Sequence, residues 1–139
     1  MKVIIINGPN LNLLSKRDTS VYGSTSFDDY FEYIKAKFNS IDLSFYQSNI
    51  EGDIINKLQE SDSEFNFIIL NAGGYSHTSV AIADCVEAID TPVIEVHISN
   101  IYARESFRHK SLVSAVSVGV IVGLGLDSYR LAIDNIINR

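Results

Sequence analysis

Five short apolar runs alternate along this chain with segments of helical periodicity, and this alternation constrains the fold more than any other feature. The runs cover residues 3–6, 43–47, 67–70, 93–98 and 118–123. Several of them are continuously apolar, as expected of parallel strands that are covered on both faces. Strands that alternate with helices in this way predict an α/β fold built on a parallel sheet.

The helical segments have recognisable ends and faces. Ser26 is a good N-cap, and Asp28 and Asp29 follow it in the first turn of a predicted helix. An apolar stripe marks a second helix that runs to the C-terminus: Tyr129, Ala132, Ile133, Ile136 and Ile137. Five βα units without repeats or linkers predict a single domain over residues 1–139. Its simplest form is a flavodoxin-like open five-stranded parallel sheet, in the order 2-1-3-4-5, with helices on both faces.

Composition excludes several classes of function. The 139 residues, 46% of them hydrophobic, suffice for one core, and a net charge of −6 argues against nucleic acid as a partner. No run is long enough to span a membrane, and Met1-Lys2 leads directly into a strand, so we expect a cytoplasmic protein. The single cysteine, Cys85, cannot form an intrachain disulfide and falls on an apolar helical face. Neither paired thiols nor a His-x-x-x-His spacing is present, so no metal site is expected.

The segment after residue 91 combines acid–base and cationic side chains. Glu95 and His97 are two apart on a predicted strand and therefore point the same way, so the carboxylate can orient the imidazole. Arg104 and Arg108 are four apart and could share a helical face that binds an anion. The alternatives are a buried pair that serves only packing and two solvated arginines.

Residues 7–25 form a connection much longer than the usual two to six or so residues between strand and helix. We expect a functional loop or lid at about 15–24. It contains Tyr22, whose phenolate form would be favoured by the nearby cations Lys16 and Arg17. A tyrosine that merely pins the loop to the surface is the competing interpretation.

Six blocks, in order and spacing, resemble the type II 3-dehydroquinate dehydratase family. They are NGPNLNLL, the Arg17 to Tyr22-Gly23 stretch, QSNIEGDIINKLQE, ILNAGGYSHTSVAIAD, PVIEVHISNIYARESFRHKS and GVIVGLG, and they cover essentially the whole chain. The resemblance implies a cofactor-free lyase of the shikimate pathway, or of quinate breakdown. Such an enzyme converts 3-dehydroquinate to 3-dehydroshikimate through an enolate.

The resemblance also implies a role for each matching residue. Tyr22, activated by Arg17, would remove the proton next to the ketone, and Asn10 would hold a water at the enolate oxygen. His97, oriented by Glu95, would protonate the departing hydroxyl. The remaining implied positions are Ile98 and Ser99 for the substrate carboxylate, Asn71, His77 and Arg108 for ring hydroxyls, and Arg104 as support for the lid.

The resemblance further implies a homo-oligomer, a dodecamer built as a tetramer of trimers, in which Asp84 reaches a neighbouring active site. The chain departs from the family pattern at Ser15 and Thr19, where relatives carry Gly and Pro, and at Ala83, where many carry Arg. From residue type alone, Asn10 and Asn71 could instead be turn residues, and His77 a solvated neighbour of a helix cap.

The same fold also hosts two other classes of function. A flavin or phosphate-ligand protein is disfavoured because no Gly-x-Gly-x-x-Gly follows the first strand and Asp127 stands where a phosphate would approach. A receiver needs acidic residues after the first strand, where Asn7-Gly8-Pro9-Asn10 stands instead. The surviving alternative is a non-catalytic small-molecule binding homologue of the flavodoxin-like fold.

Overall fold

The computed structural model describes residues 1–16, 20 and 24–139. Five strands form one parallel sheet: β1 (Lys2–Asn7), β2 (Asp42–Gln47), β3 (Phe67–Asn71), β4 (Val93–His97) and β5 (Gly119–Val122). Their order is β2-β1-β3-β4-β5, which confirms the predicted α/β architecture. The predicted strand ends differ from the observed ones by one residue at several places. Ile98, for example, lies just beyond β4.

Helices cover both faces of this sheet. They are α1 (Phe27–Lys37), α2 (Glu51–Ser61), α3 (Val80–Ala88) and α4 (Asp127–Ile137). Short 3-10 turns lie in the loops between these strands and helices. They are Leu11–Lys16, Gly73–His77, Ile101–Ala103, Ser106–Arg108 and Ser114–Val116. The predicted cap of α1 is confirmed, since Ser26 Oγ accepts from the Asp29 amide at 3.2 Å. In the described part of the chain, no helix is long and apolar enough to cross a membrane.

The two faces of β1 belong to two separate cores. Val3 and Ile5 pack with α1 and α4, whereas Ile4 and Ile6 pack with α2 and α3. Side chains of a strand alternate between faces, so a strand that is buried on both sides reads as a nearly continuous apolar run. Cys85 joins the second core and is buried, as its place on the apolar face of α3 predicts.

The loops that follow β1 and β3 touch through their backbones. A Cβ atom on Gly8 would lie only 2.4 Å from the carbonyl oxygen of Ala72, so only glycine fits this position. The Gly8 amide donates to the Asn71 carbonyl at 2.7 Å. The carboxyl ends of these two strands are therefore held together, and the loops that leave them start from a rigid edge.

A buried hydrogen-bonded chain ties α4 to the same edge. The Tyr129 hydroxyl donates to Asn7 Oδ1 and accepts from Asn71 Nδ2, both at 2.8 Å, and the Tyr129 side chain has no exposed surface. Burial raises the pKa of Tyr129, although the hydrogen bond from Asn71 acts in the opposite direction. Tyr129 therefore remains a neutral phenol that bonds to one atom of each of the two buried amides.

We expect Tyr129→Phe to lower the free energy of unfolding by about 1–3 kcal/mol, because it leaves polar atoms of both amides buried without a partner. Urea denaturation followed by circular dichroism measures this loss. Tyr33→Phe is the matched control, since Tyr33 is exposed and its substitution should change stability by less than about 0.5 kcal/mol. Equal stability of the Tyr129→Phe variant and the wild type would show that these hydrogen bonds contribute nothing to the free energy of unfolding.

Candidate active site

A pocket opens at the carboxyl edge of the sheet, beside the ends of β1, β3 and β4. It is lined by Pro9, Asn10, Leu11, Asn71, Gly73, Gly74, His77, His97, Ile98, Ser99, Ile101, Arg104 and Arg108. Most of the predicted site residues that the structure describes are in this lining. Glu95 lies behind it, and Asp84 lies on an exposed position of α3 outside it. Arg17 and Tyr22 lie outside the described residues, as does most of the predicted lid at 15–24.

Glu95 and His97 form a buried pair on β4. They are 0% and 5% exposed, and Glu95 Oε1 lies 2.7 Å from His97 Nε2. A carboxylate only accepts hydrogen bonds, so Nε2 carries the proton, and Nδ1 is the nitrogen left to exchange protons with a ligand. The alternation of side chains along the strand predicts this contact.

Two serine hydroxyls also donate to Glu95, and the sequence analysis missed both. Ser111 bonds to Oε1 and Ser114 to Oε2. Burial alone raises the pKa of Glu95, but the hydrogen bonds from His97 and the two serines outweigh it and hold the pKa below its ordinary value. Glu95 therefore remains ionised at neutral pH. No periodic signal links these serines to β4, because they lie 16 and 19 residues further along the chain.

The turn that follows β4 presents backbone amides at the pocket. The carbonyls of His97 and Ile98 accept from the amides of Gly123 and Gly125, at 3.1 and 2.9 Å, which fixes the path of the turn. Within the described ranges, the amides of Ile98 and Ser99 donate to no other residue. Paired amides of this kind suit an anion such as a carboxylate.

The neighbouring side chains add a hydroxyl and a cation to this turn. Ser99 Oγ accepts from Arg104 Nη1 at 3.1 Å, and both residues line the pocket. The Ser99 hydroxyl hydrogen is therefore directed away from Arg104 and can be donated to a ligand.

His77 faces His97 across the pocket. Their ring centroids are 6.0 Å apart, with the ring planes inclined by 24°. His77 Nδ1 donates to the Lys110 carbonyl at 2.7 Å, which leaves Nε2 available to a ligand. His77 lies two residues before Ser79, the cap of α3, whose Oγ accepts from the Ile82 amide, and it also lines the pocket.

Arg104 and Arg108 both line the pocket, but the prediction that they share one helical face is wrong. The chain forms two separate 3-10 turns here, and Arg104 lies between them with extended backbone angles (φ −110°, ψ −165°). Arg108 Nε bonds to Glu105 Oε2 at 2.7 Å. The pKa of Glu105 is held low by its own backbone amide and by Arg108, so this exposed carboxylate stays ionised beside the pocket.

The two asparagines differ in how they reach the pocket. Asn10 has a left-handed backbone (φ 69°) and is exposed, so it is a turn residue and also part of the lining. Asn71 is the last residue of β3 and is buried, and its side chain also stabilises the turn that follows the strand. Its Nδ2 donates to Tyr129 and its Oδ1 accepts from the Gly73 amide, which fixes the orientation of the amide.

The lining as a whole combines imidazole, guanidinium, amide and hydroxyl groups. These groups suit a small, oxygen-rich, anionic molecule better than an apolar one. In residues 1–16, 20 and 24–139 no group of three or more His, Cys, Asp or Glu side chains could hold a metal ion.

Comparison with known proteins identifies the family that has this arrangement. The model of the family described as Dehydroquinase class II matches residues 1–137. The chain belongs to this family. Related sequences of the class II dehydroquinases include the 3-dehydroquinate dehydratase of Fusobacterium nucleatum subsp. nucleatum, 51% identical over 96% of this chain and 94% of the relative. The 3-dehydroquinate dehydratase of Nitratiruptor sp. is 49% identical over 95% of this chain and 86% of the relative.

Solved structures of class II dehydroquinases share the fold. The crystal structure of the type II dehydroquinase from Butyrivibrio crossotus superimposes with a TM-score of 0.94 at 43% identity. That comparison covers 100% of this chain and 98% of the other. The pocket described above therefore belongs to a dehydroquinase fold.

The pKa of Glu95 predicts how stability depends on pH. Its folded pKa lies below the ordinary value of 4.5, so the unfolded chain takes up the proton first as the pH falls. The ionised carboxylate thus contributes stability that is fully present above the unfolded pKa and is lost as the pH falls through the folded pKa. Relative to Glu95→Gln, the wild type should lose stability as the pH falls from about 5.5 towards 3.

Urea denaturation at a series of pH values measures this difference. Glu32→Gln, at an exposed position of α1, is the control and should show a much smaller pH dependence. The ionisation of Glu95 would be ruled out if the free energies of unfolding of the wild type and Glu95→Gln differed by the same amount from neutral to acidic pH.

Proposed function

We propose that this chain is a 3-dehydroquinate dehydratase, a hydro-lyase that removes water from 3-dehydroquinate without a cofactor and passes through an enolate. The observation that carries the proposal is the buried Glu95–His97 pair, which meets the anion-binding turn at Ile98 and Ser99 in one pocket of a class II dehydroquinase fold. The main alternative is a non-catalytic homologue that binds the same molecule without converting it.

His97 is the proposed acid. The departing hydroxyl needs a proton, and His97 can supply it from Nδ1 because Nε2 is engaged by Glu95. The negative charge of Glu95 stabilises the imidazolium that must exist before this transfer. Both side chains are held by a central strand, so the donor is preorganised with respect to the bound ring.

Tyr22 is the proposed base, with Arg17 as the cation that favours its phenolate. Both assignments come from the family resemblance, since these residues lie outside the described ranges. A proton next to a ketone requires a strong base on the side of the ring opposite the acid. The 3-10 turn Leu11–Lys16, whose first residue lines the pocket, immediately precedes Arg17 in the chain, which supports the assignment.

The remaining roles follow from the lining. The amides of Ile98 and Ser99 and the Ser99 hydroxyl would bind the substrate carboxylate, with Arg104 as a supporting cation that bonds to Ser99 Oγ. Ring hydroxyls would bind to Asn71, His77 and Arg108. Asn10 would hold the water that stabilises the enolate oxygen.

We also propose a homo-oligomer, a dodecamer of four trimers, in which Asp84 completes a neighbouring active site. Asp84 is exposed and projects away from the buried stripe of α3 formed by Ile82, Cys85 and Val86. Ala81, one turn earlier on α3, is exposed on the same side, and Asp84 is not part of its own pocket lining. The proposal includes a cytoplasmic location and a role in aromatic biosynthesis or quinate breakdown.

The purified protein should convert 3-dehydroquinate to a conjugated enone, which is followed by ultraviolet absorbance. Tyr22→Phe and His97→Ala should each lower turnover by about 10²–10⁴-fold, the usual contribution of a positioned acid or base. Tyr33→Phe, an exposed tyrosine far from the pocket lining, is the control. Substrate binding without any absorbance change would establish the binding homologue instead, and normal turnover by Tyr22→Phe would remove it from the mechanism.

Asp84→Ala should lower substrate affinity while it leaves the fold of the subunit intact, because the residue is exposed and lies outside its own pocket. Light scattering and activity measured across a dilution series test the shared site. Glu87→Ala, an exposed acid one turn further along α3, is the matched control. A fully active monomer would refute the shared site, and an oligomer indifferent to Asp84→Ala would remove this residue from it.

A further inference from the structure

The segment that carries Ser111 and Ser114 has no part in the proposed mechanism, yet it is fixed firmly against the site. Val113, between the two serines, has no exposed surface, and the Leu112 amide donates to the Ser76 carbonyl at 2.7 Å. Ser114 begins the 3-10 turn Ser114–Val116, and both serine side chains are partly buried. The segment therefore brings two hydroxyls to Glu95 from a rigid position.

These hydroxyls fix the Glu95 carboxylate on both of its oxygens. Oε1 accepts from His97 and Ser111, while Oε2 accepts from Ser114. With both oxygens engaged, the carboxylate cannot rotate without breaking a hydrogen bond inside the protein. Oε1 consequently stays directed at His97 Nε2.

We propose that Ser111 and Ser114 are positioning residues, which lock the Glu95 carboxylate so that it holds His97 with Nε2 bonded and Nδ1 turned to the substrate. This inference rests on the proposed dehydratase function. A competing role exists for Ser111, because its Oγ also accepts from the Val113 amide at 3.3 Å and could simply stabilise the local turn. The experiments must separate that structural role from an effect on His97.

Kinetics of the serine variants give the first test. Ser111→Ala and Ser114→Ala should each lower kcat by about 10-fold, with a larger loss in the double variant, because each leaves a buried carboxylate oxygen with one donor fewer. KM should stay within about twofold, since neither serine lines the pocket. Ser114→Thr keeps the hydroxyl and should retain most of the turnover.

Ser117→Ala is the matched control for the segment. Ser117 is also partly buried, but its hydroxyl donates to the Val113 carbonyl at 2.9 Å and not to Glu95. This variant should retain the kcat of the wild type. An equal loss of kcat in Ser117→Ala and Ser114→Ala would assign the effect to the packing of the segment and overturn the proposal.

A double-mutant cycle tests whether the effect passes through Glu95. Glu95→Gln removes the charge, so the serine substitutions should lower kcat by less than about twofold further in that background. A loss as large as in the wild-type background would show that the serines act by another route, and would overturn the proposal.

Nuclear magnetic resonance of the histidine rings gives a readout that needs no activity. The chain has three histidines, so the His97 signals can be assigned with a His97→Asn variant. In the wild type the neutral ring should have its proton on Nε2, and the double serine variant should show a shift of the ring nitrogen signals towards a mixture of tautomers. Among the described residues, the groups near His97 that could also affect these signals are Glu95, His77, Arg104 and Arg108, and none of them is changed.

Unchanged His97 signals in a folded double variant would overturn the positioning role even if kcat fell. If the wild type proved inactive towards 3-dehydroquinate, the proposed function would fail. The ring signals would then still decide whether the serines position His97.

Discussion

The site depends on a carboxylate that has no exposed surface in the middle of an apolar parallel strand. Burial of an ionised group is costly unless hydrogen bonds replace the lost water. Glu95 receives them from His97 on its own strand and from two serines on a distant segment. The cost is offset only when the segment that carries Ser111 and Ser114 is folded against β4, so the acid–base pair and the local tertiary structure form together.

The strand order explains why residues from distant parts of the sequence meet in one pocket. The chain leaves β1 towards β2 on one side and returns to β3 on the other, and the loops diverge at this point. Two features hold this edge of the sheet together. Gly8 contacts the backbone of Ala72, and the hydrogen bonds of Tyr129 with Asn7 and Asn71 tie α4 to the ends of β1 and β3. The ligand groups on these loops are therefore mounted on a scaffold that cannot easily relax, which is what precise orientation requires.

Period-two and helical patterns predicted the parts of the molecule that depend on local geometry. The cap at Ser26 and the contact between Glu95 and His97 follow from spacings of a few residues, whereas the strand order was predicted as the simplest arrangement of five βα units. Contacts between distant segments leave no such pattern. Tyr129 reaches Asn7 across 122 residues, and nothing in the sequence around either residue points to the other.

The error at Arg104 and Arg108 has a different cause. A spacing of four residues predicts a shared face only if the backbone is continuously α-helical, and the 3-10 turns at Ile101–Ala103 and Ser106–Arg108 break that condition. The side chain of Asn100 caps the first turn by accepting from the Tyr102 amide, which competes with a longer helix. Both arginines reach the pocket all the same, through loop geometry that spacing alone does not predict.

The rings of His77 and His97 face each other in the pocket. The hydrogen-bond partner of one nitrogen in each ring explains why only His97 is assigned the role of acid. His77 donates to the neutral carbonyl of Lys110, whereas His97 donates to an ionised carboxylate. A full negative charge at hydrogen-bonding distance stabilises an imidazolium far more than a carbonyl dipole does, especially away from water. His97 is therefore held by a charged partner with Nδ1 left for the leaving group, whereas His77 is held by a carbonyl with Nε2 left to bind a ring hydroxyl.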